Sequence, residues 1–341
     1  MHFGASAAGS ERSRRSIVAF LANHVEAQQP PVVIQATNYR RLAILAATVG
    51  TLIACDQLHP PTSPSAPPTT QDVALSWSPY VGVHSDGRAI PAYQDALSAL
   101  RRTGRLNGVR MELHRNELVN PVIKAVGALG VEILGLVENL YLFDPDIERA
   151  IDRIFAAYPE IRHFQIGNEV TTILPPSGPT MTIEQYAAVF QRVYAHVQAH
   201  HPGRAILLTQ SALGSGLRGP TELETLTSLA LSRMDPDKVI VAINAYDPAN
   251  VSQFSGLLGG ALRPFRVWVT ESGRPNADQQ ASFVRDEYPL LRRFLRAERV
   301  YWYVMWAGDQ GPDTGFSLIK FPTSHPNYWK SPLFELLTEG R

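Results

Sequence analysis

Two short segments of this chain combine residue types that can do chemistry. Phe164-Gln165-Ile166-Gly167-Asn168-Glu169 carries an apolar run into an amide and a carboxylate, and Val267-Trp268-Val269-Thr270-Glu271-Ser272-Gly273 carries another into a second carboxylate. Two carboxyl groups in one place can divide proton transfer and attack on carbon between them if one stays protonated while the other stays ionised, so their environments must split their pKa values. Other polar or aromatic residues follow apolar runs in the same way: His84, Arg110, His114, Glu138, Asn139, Gln210, Asn244, Tyr246, Trp306 and Asp309. Arg110 could hold Glu271 ionised. An arginine beside a carboxylate also serves as a plain structural ion pair, and a tyrosine at a strand end as rim packing.

The elements that must position these residues alternate. From about Asp72 the chain has eight short apolar or β-branched runs: Tyr80 to His84, Gly108 to Leu113, Val131 to Val137, His163 to Gly167, Ala205 to Thr209, Val239 to Ala245, Arg266 to Thr270 and Val300 to Trp306. Between them lie amphipathic stretches of helical period, among them Pro91 to Arg102, Asp146 to Tyr158, Ile183 to His201 and Asp278 to Arg296. Eight strand-helix units predict an α/β fold of the (β/α)8 TIM-barrel type. The 341 − 70 = 271 residues after the N-terminal region match the roughly 250 of that fold. A doubly wound open sheet is the alternative, and Gly82-Val83-His84-Ser85-Asp86-Gly87 lacks the glycine spacing that would support it. In a barrel the polar run ends gather on one face, where chemistry takes place. Glu112 shares parity with Arg110 and is expected to pair with a neighbouring basic group. Alternation sends Tyr301 and Tyr303 to the face opposite Trp302 and Trp306, which predicts that the tyrosines pack against helices.

The Asn168-Glu169 and Glu271 ends, 271 − 169 = 102 residues apart and so three βα units, resemble those of glycoside hydrolase clan A. Members carry Asn-Glu after strand four, a lone Glu at the end of strand seven, and an aromatic under the sugar at the end of strand eight, here Trp306. The resemblance implies a retaining β-glycosidase with Glu169 as acid/base and Glu271 as nucleophile. It also implies Asn168 as donor to the sugar 2-hydroxyl and Tyr246 as hydrogen-bond partner of the nucleophile. His84, His114 and Asn244 are candidate sugar contacts, and the implied partner is an oligo- or polysaccharide. Many members read Asn-Glu-Pro where this chain has Asn168-Glu169-Val170. Pro175 to Pro179 is expected to form a wall of the cleft. Asp309 to Trp329 resembles the tail in which a last loop closes the cleft and a terminal helix packs back. A carbohydrate-binding lipoprotein without turnover, or a transglycosidase using the same glutamates, would carry the same residues.

Composition narrows the rest. Lys plus Arg and Asp plus Glu are both 31, with no basic block to follow a phosphate backbone, so nucleic acid is not an expected partner. One cysteine excludes an internal disulfide. The ten histidines show no HExxH and no pair at ligand spacing completed by a carboxylate, and His200 and His201 are neighbours pointing different ways, so neither metal nor cofactor is expected. The uncharged run Leu42 to Ala54 after Arg40-Arg41 is too short to span a bilayer and suits a signal peptide. It closes on Leu52-Ile53-Ala54-Cys55, which resembles a bacterial lipobox with the only cysteine at the acylated position. Proline-rich sequence follows, with Pro60, Pro61, Pro64, Pro67 and Pro68. The expected organisation is a leader and signal peptide over 1–54, a lipidated Cys55 and tether over 55–71, and one barrel domain over 72–341. The product would be a monomeric lipoprotein at the cell envelope, with translation starting near Val32 or Val33 if Met1 is too far upstream.

Overall fold

The structure, a computed structural model, describes residues 67–84, 86–115, 119–171, 180–209, 218–246, 248–308, 312–320 and 328–339. Eight parallel strands close into a barrel in sequence order: β1 Tyr80–Val83, β2 Gly108–Leu113, β3 Glu132–Val137, β4 His163–Ile166, β5 Ala205–Thr209, β6 Val239–Asn244, β7 Arg266–Ser272 and β8 Ala297–Trp302. β8 pairs with β1 through Tyr80↔Tyr301 and Val81↔Trp302. The predicted TIM barrel is therefore the observed fold. The leader, the lipobox with Cys55 and the tether up to residue 66 lie outside the described residues, as do Gln210, Asp309 and the 175–179 wall.

Helices cover the barrel wherever the 3.6-residue period supplies an apolar stripe. In α4, Ile147–Ala157, the residues Ile147, Ala150, Ile151 and Ile154 are all buried toward the strands. In α5, Ile183–His200, a capping box of Thr182 and Gln185 starts the helix, and Tyr186, Phe190, Val193 and Val197 face inward. The others are α1 Thr70–Ser76, α2 Ile90–Arg102, α3 Pro121–Gly127, α6 Arg218–Leu229, α7 Pro248–Gly259, α8 Ala277–Leu295 and α9 Pro332–Thr338. α1 opens on a capping box at Thr69, so the folded domain begins before residue 72, inside the expected tether. α9 buries Leu333, Phe334 and Leu337, the terminal packing helix that the resemblance implied. Among the described residues no helix is long and apolar enough to cross a membrane.

The interior corrects one expectation. β8 ends at Trp302, four residues short of Trp306, and its faces are the reverse of those predicted. Tyr301 packs inside the barrel with Leu134, Leu207, Ile240, Ala242 and Trp268. Trp302 faces the helices, meeting Trp77 and Phe283 at 6.2 Å and donating Nε1–H to the Phe316 carbonyl at 2.8 Å. Alternation was right and the inward parity was misassigned, because an all-aromatic run gives no polarity by which to choose a face. Below this layer Glu132 contacts His163 Nδ1 and Arg299 Nη1 at 2.8 Å each, and the Arg299 guanidinium lies 3.9 Å from the Trp268 ring centre. These side chains plug the lower end of the barrel.

Candidate active site at the barrel mouth

Glu169 reaches the mouth by an unusual turn. β4 ends at Ile166, and then Gly167 (φ 75°) and Glu169 (φ 48°) both adopt left-handed backbone. Such a conformation costs a non-glycine residue about 1–3 kcal/mol and is found where the surroundings enforce it. Here they do. A Cβ on Gly167 would lie 2.8 Å from Leu142 and 2.9 Å from Val170. Asn139 clamps the backbone of Asn168, its Oδ1 accepting the N–H and its Nδ2 donating to the carbonyl, both at 2.7 Å. From α5 the Tyr186 hydroxyl donates to the Ile166 carbonyl at 2.7 Å and accepts the Thr209 N–H at 3.2 Å, bolting the ends of β4 and β5 together.

Glu271 reaches the mouth through an irregularity in β7. The β6–β7 register runs Ile243↔Val269 and then Asn244↔Glu271, so one residue, Thr270, is extra. A bulge of this kind turns side chains out of strict alternation. Adjacent side chains consequently both address the mouth: Thr270 Oγ1 donates to Asn244 Oδ1 at 3.0 Å, and Glu271 joins the cluster beside it. Ser272 Oγ holds the strand end by donating to the Tyr301 carbonyl at 2.8 Å.

The two carboxyl groups are buried, Glu169 at 3 % and Glu271 at 5 % exposure, and they are unequally supplied with donors. Glu271 Oε1 receives Arg110 Nη1 at 2.8 Å and Asn168 Nδ2 at 3.1 Å, and its Oε2 receives the Tyr246 hydroxyl at 2.6 Å. Glu169 receives Asn244 Nδ2 at 2.8 Å. Burial first, and then the negative charge of Glu271, push Glu169 up to about 8 against the opposing effects of Asn244 and Arg110. Burial and the adjacent Glu271 raise the Tyr246 hydroxyl well above its ordinary range, which keeps it a donor. Gln165 connects both halves: its Oε1 accepts Arg110 Nε at 2.8 Å, and its Nε2 donates to the Gly167 carbonyl at 3.0 Å and to Asn168 Oδ1 at 3.1 Å. Asn244 Nδ2 also reaches Asn168 Oδ1, at 3.2 Å. One hydrogen-bonded network thus joins Glu169, Glu271, Asn168, Arg110, Asn244 and Tyr246, all six singled out in the sequence, although Arg110 lies in the middle of β2 and not at its end. It can hold one carboxyl protonated beside one ionised, the condition for paired acid and nucleophile work.

The remaining candidates ring this network. His84 is partly buried with its ring 6.2 Å from Tyr303, and burial lowers its imidazole against the opposing pull of Glu271. His114 stands farther out, 3.9 Å from both Glu112 and Glu138, so Glu112 does have the basic neighbour expected of it. Burial pushes Glu112 up. Trp306 is buried in the segment beyond β8, next to Met305, whose N–H donates to the Gly82 carbonyl at 2.7 Å. A side chain at Gly82 would collide with the Tyr303 carbonyl, so glycine lets this segment cross β1.

Sequence reasoning missed Gln165, Thr270, Tyr303 and Phe316. The Tyr303 ring is 5.9 Å from Tyr246 and 5.4 Å from Phe316, and Tyr246 is 5.4 Å from Phe316, an aromatic wall beside Glu271. Gln165 was detectable as a polar residue inside an apolar strand, two before Gly167. The expectation that no carboxylate completes a histidine pair is also corrected. Two groups of three possible metal ligands occur among the described residues, Glu112 with His114 and Glu138 on the rim, and Asp152 with His196 and His201 on the outer helices.

The sequence matches no protein-family model and no curated protein sequence. Its structure is similar to a family 51 α-L-arabinofuranosidase, AbfB, of Bifidobacterium longum, at 14 % identity over 77 % of this chain and 72 % of that one, with a TM-score of 0.52. SrfJ of Salmonella typhimurium aligns at 9 % identity over 76 % and 73 %, TM-score 0.55. The β-mannanase of Thermomonospora fusca aligns at 14 % over 77 % and 89 %, TM-score 0.50. At these identities the likeness is one of fold. The barrel is the one that TIM-barrel glycoside hydrolases use, which agrees with the resemblance carried by Asn168-Glu169 and Glu271.

Proposed function

We propose that this protein is a glycoside hydrolase that cleaves β-linked oligo- or polysaccharides with retention at the anomeric carbon. The observation that carries this reading is the unequal treatment of two glutamates in one buried network, with Glu169 raised to about 8 while Glu271 receives three donors. In the first step Glu271 attacks the anomeric carbon while Glu169 delivers its proton to the departing oxygen. In the second step Glu169, now a carboxylate, takes a proton from water as that water displaces Glu271. Arg110 and Tyr246 bind the two oxygens of Glu271 and aim the carboxyl. Asn168 Nδ2 carries two N–H donors and uses one on Glu271, which leaves the other for the sugar 2-hydroxyl, a contact that tightens as the oxocarbenium-like charge develops. The Tyr246, Tyr303 and Phe316 rings supply an apolar wall on which a sugar face can pack.

A panel of aryl β-glycosides, followed by β-linked polysaccharides with product sizing, tests the reading. Release of the aryl group is expected with at least one sugar and should vanish in Glu271→Ala; no release by folded protein across the panel would contradict it. The same proposal places the enzyme at the cell envelope, anchored by acyl chains on Cys55. Cys55→Ser is then expected to release soluble protein or leave the signal uncleaved, and unchanged membrane fractionation would refute the anchor.

A further inference from the structure

On the outer face, remote from the mouth, His196 Nε2 and His201 Nε2 each lie 2.7 Å from the same oxygen, Asp152 Oδ1. We propose that Asp152, His196 and His201 form a binding site for one borderline divalent transition-metal ion, Zn2+ being the best fit, which staples α4 to the end of α5.

The three donors come from separate places in the chain. Asp152 is on α4, His196 is in the last turns of α5, and His201 is the C-cap, where φ −135° and ψ 53° swing the chain out of the helix. That departure brings residues five apart to one point, although neighbours across a helix surface are three or four apart. The imidazoles are held in place. His201 stands edge-on to the buried Phe155 at 4.9 Å, and His196 packs against the His200 ring at 4.7 Å. Arg192, the nearest cation on the same helix, is directed elsewhere, to the Glu148 carboxylate at 2.8 and 2.7 Å and the Pro145 carbonyl at 2.9 Å, so it does not occupy Asp152.

Two imidazoles and one carboxylate select zinc-like ions over Mg2+ or Ca2+, which take oxygen ligands. With metal–ligand bonds near 2.0 Å, tetrahedral ligands stand about 3.3 Å apart, so the carboxylate must move out by about half an ångström. Asp152 is free to make that movement, because its side chain is 48 % exposed, against 14 % for His196 and 26 % for His201. Water would fill the fourth position on the open side. The other His/carboxylate group, at the rim, is looser: its carboxylates stand 3.9 Å from two different nitrogens of His114, where a single ion needs its ligands convergent.

The test uses the untagged full chain and Zn2+ alone, by titration calorimetry and thermal melting after treatment with a chelator. One equivalent is expected at micromolar affinity, with Tm rising by about 5 °C when free zinc is a hundredfold above Kd. His196→Ala with His201→Ala should weaken binding at least about a hundredfold, while His114→Ala should leave it unchanged. Should the double variant not fold, Asp152→Asn and histidine side-chain 15N spectra of the parent protein carry the same test, since only His196 and His201 should show zinc-dependent shifts at Nε2. Absence of saturable binding, binding that survives in the variants, or shifts confined to His114 would each overturn the site.

Discussion

The two ends of this barrel handle their carboxylates in opposite ways. At the lower end Glu132 is met by His163 and Arg299, and although burial pushes its carboxyl up, hydrogen bonds from those two side chains and the Arg299 charge bring it down to about 2. At the mouth Glu169 and Glu271 share the single guanidinium of Arg110, which bonds Glu271, and Glu169 is left at about 8. The lower end has positive charge enough for its carboxylate. Among the described residues the carboxyl pair at the mouth is one positive charge short, so its network is comfortable only with one proton retained. That deficit costs stability near neutral pH and, under the proposed function, supplies the acid for the leaving group. Backbone strain does not follow that division: among the described residues the two non-glycine residues with positive φ are Glu169 at the mouth and Arg296 just before β8 at the lower end.

The largest effects should come from the mouth. Glu271→Ala is expected to lower turnover by about 10⁵-fold or more, because the proposed mechanism forms its covalent intermediate on Glu271. Glu169→Ala should lose about 10²–10⁴-fold on a poor leaving group and far less on an activated aryl glycoside, with azide restoring product as the β-glycosyl azide. Azide products of the same anomeric configuration from both variants would invert or abolish the assigned roles. The pH profile gives the next contrast. Glu169 must carry its proton for the first step, so kcat/KM for a substrate with a poor leaving group should fall as pH rises through about 8. Glu169→Gln should remove that limb, and its persistence in the variant would assign the acid elsewhere.

Stability should separate the ends in opposite directions. The folded pKa of Glu132 is depressed, so its contribution is present above about 4.5 and is lost as pH falls toward 2. Glu132→Gln should destabilise by about 2 kcal/mol at neutral pH, leaving Arg299 and His163 half-paired, and should unfold less steeply with acid while keeping full activity per folded molecule. The folded pKa of Glu169 is raised, so its contribution is complete below about 4.5 and is lost as pH rises through about 8. Glu169→Gln should therefore gain about 1 kcal/mol at pH 7 and melt a few degrees higher while losing activity. Melting below the parent protein would break the contrast.

Most of the barrel was legible because apolar runs and amphipathic stretches alternate regularly, and five of the six residues of the mouth network stand at or just past the ends of those runs, Arg110 lying mid-strand in β2. What stayed hidden depends on departures from ideal geometry. Strict alternation would send Thr270 and Glu271 to opposite faces, and only the β7 bulge turns both into the mouth. The left-handed turn at Glu169 is signalled by Gly167 alone, since a glutamate has no propensity that announces it. Tyr303 was placed on the wrong face because Tyr301-Trp302-Tyr303 offers no polar residue to set parity. The Asp152 contact with His196 and His201 joins residues more than forty positions apart, a distance at which spacing carries no signal.

The division of labour between the glutamates is most directly tested by trapping. Incubation with 2-deoxy-2-fluoro aryl β-glycosides, using the sugar that the panel selects, should slow departure of the covalent intermediate enough for peptide mass spectrometry. The account predicts one fluoroglycosyl group on the peptide containing Glu271, and none in Glu271→Gln. A label on Glu169 or on another side chain, or rapid turnover of the parent glycoside with no adduct on any residue, would contradict it.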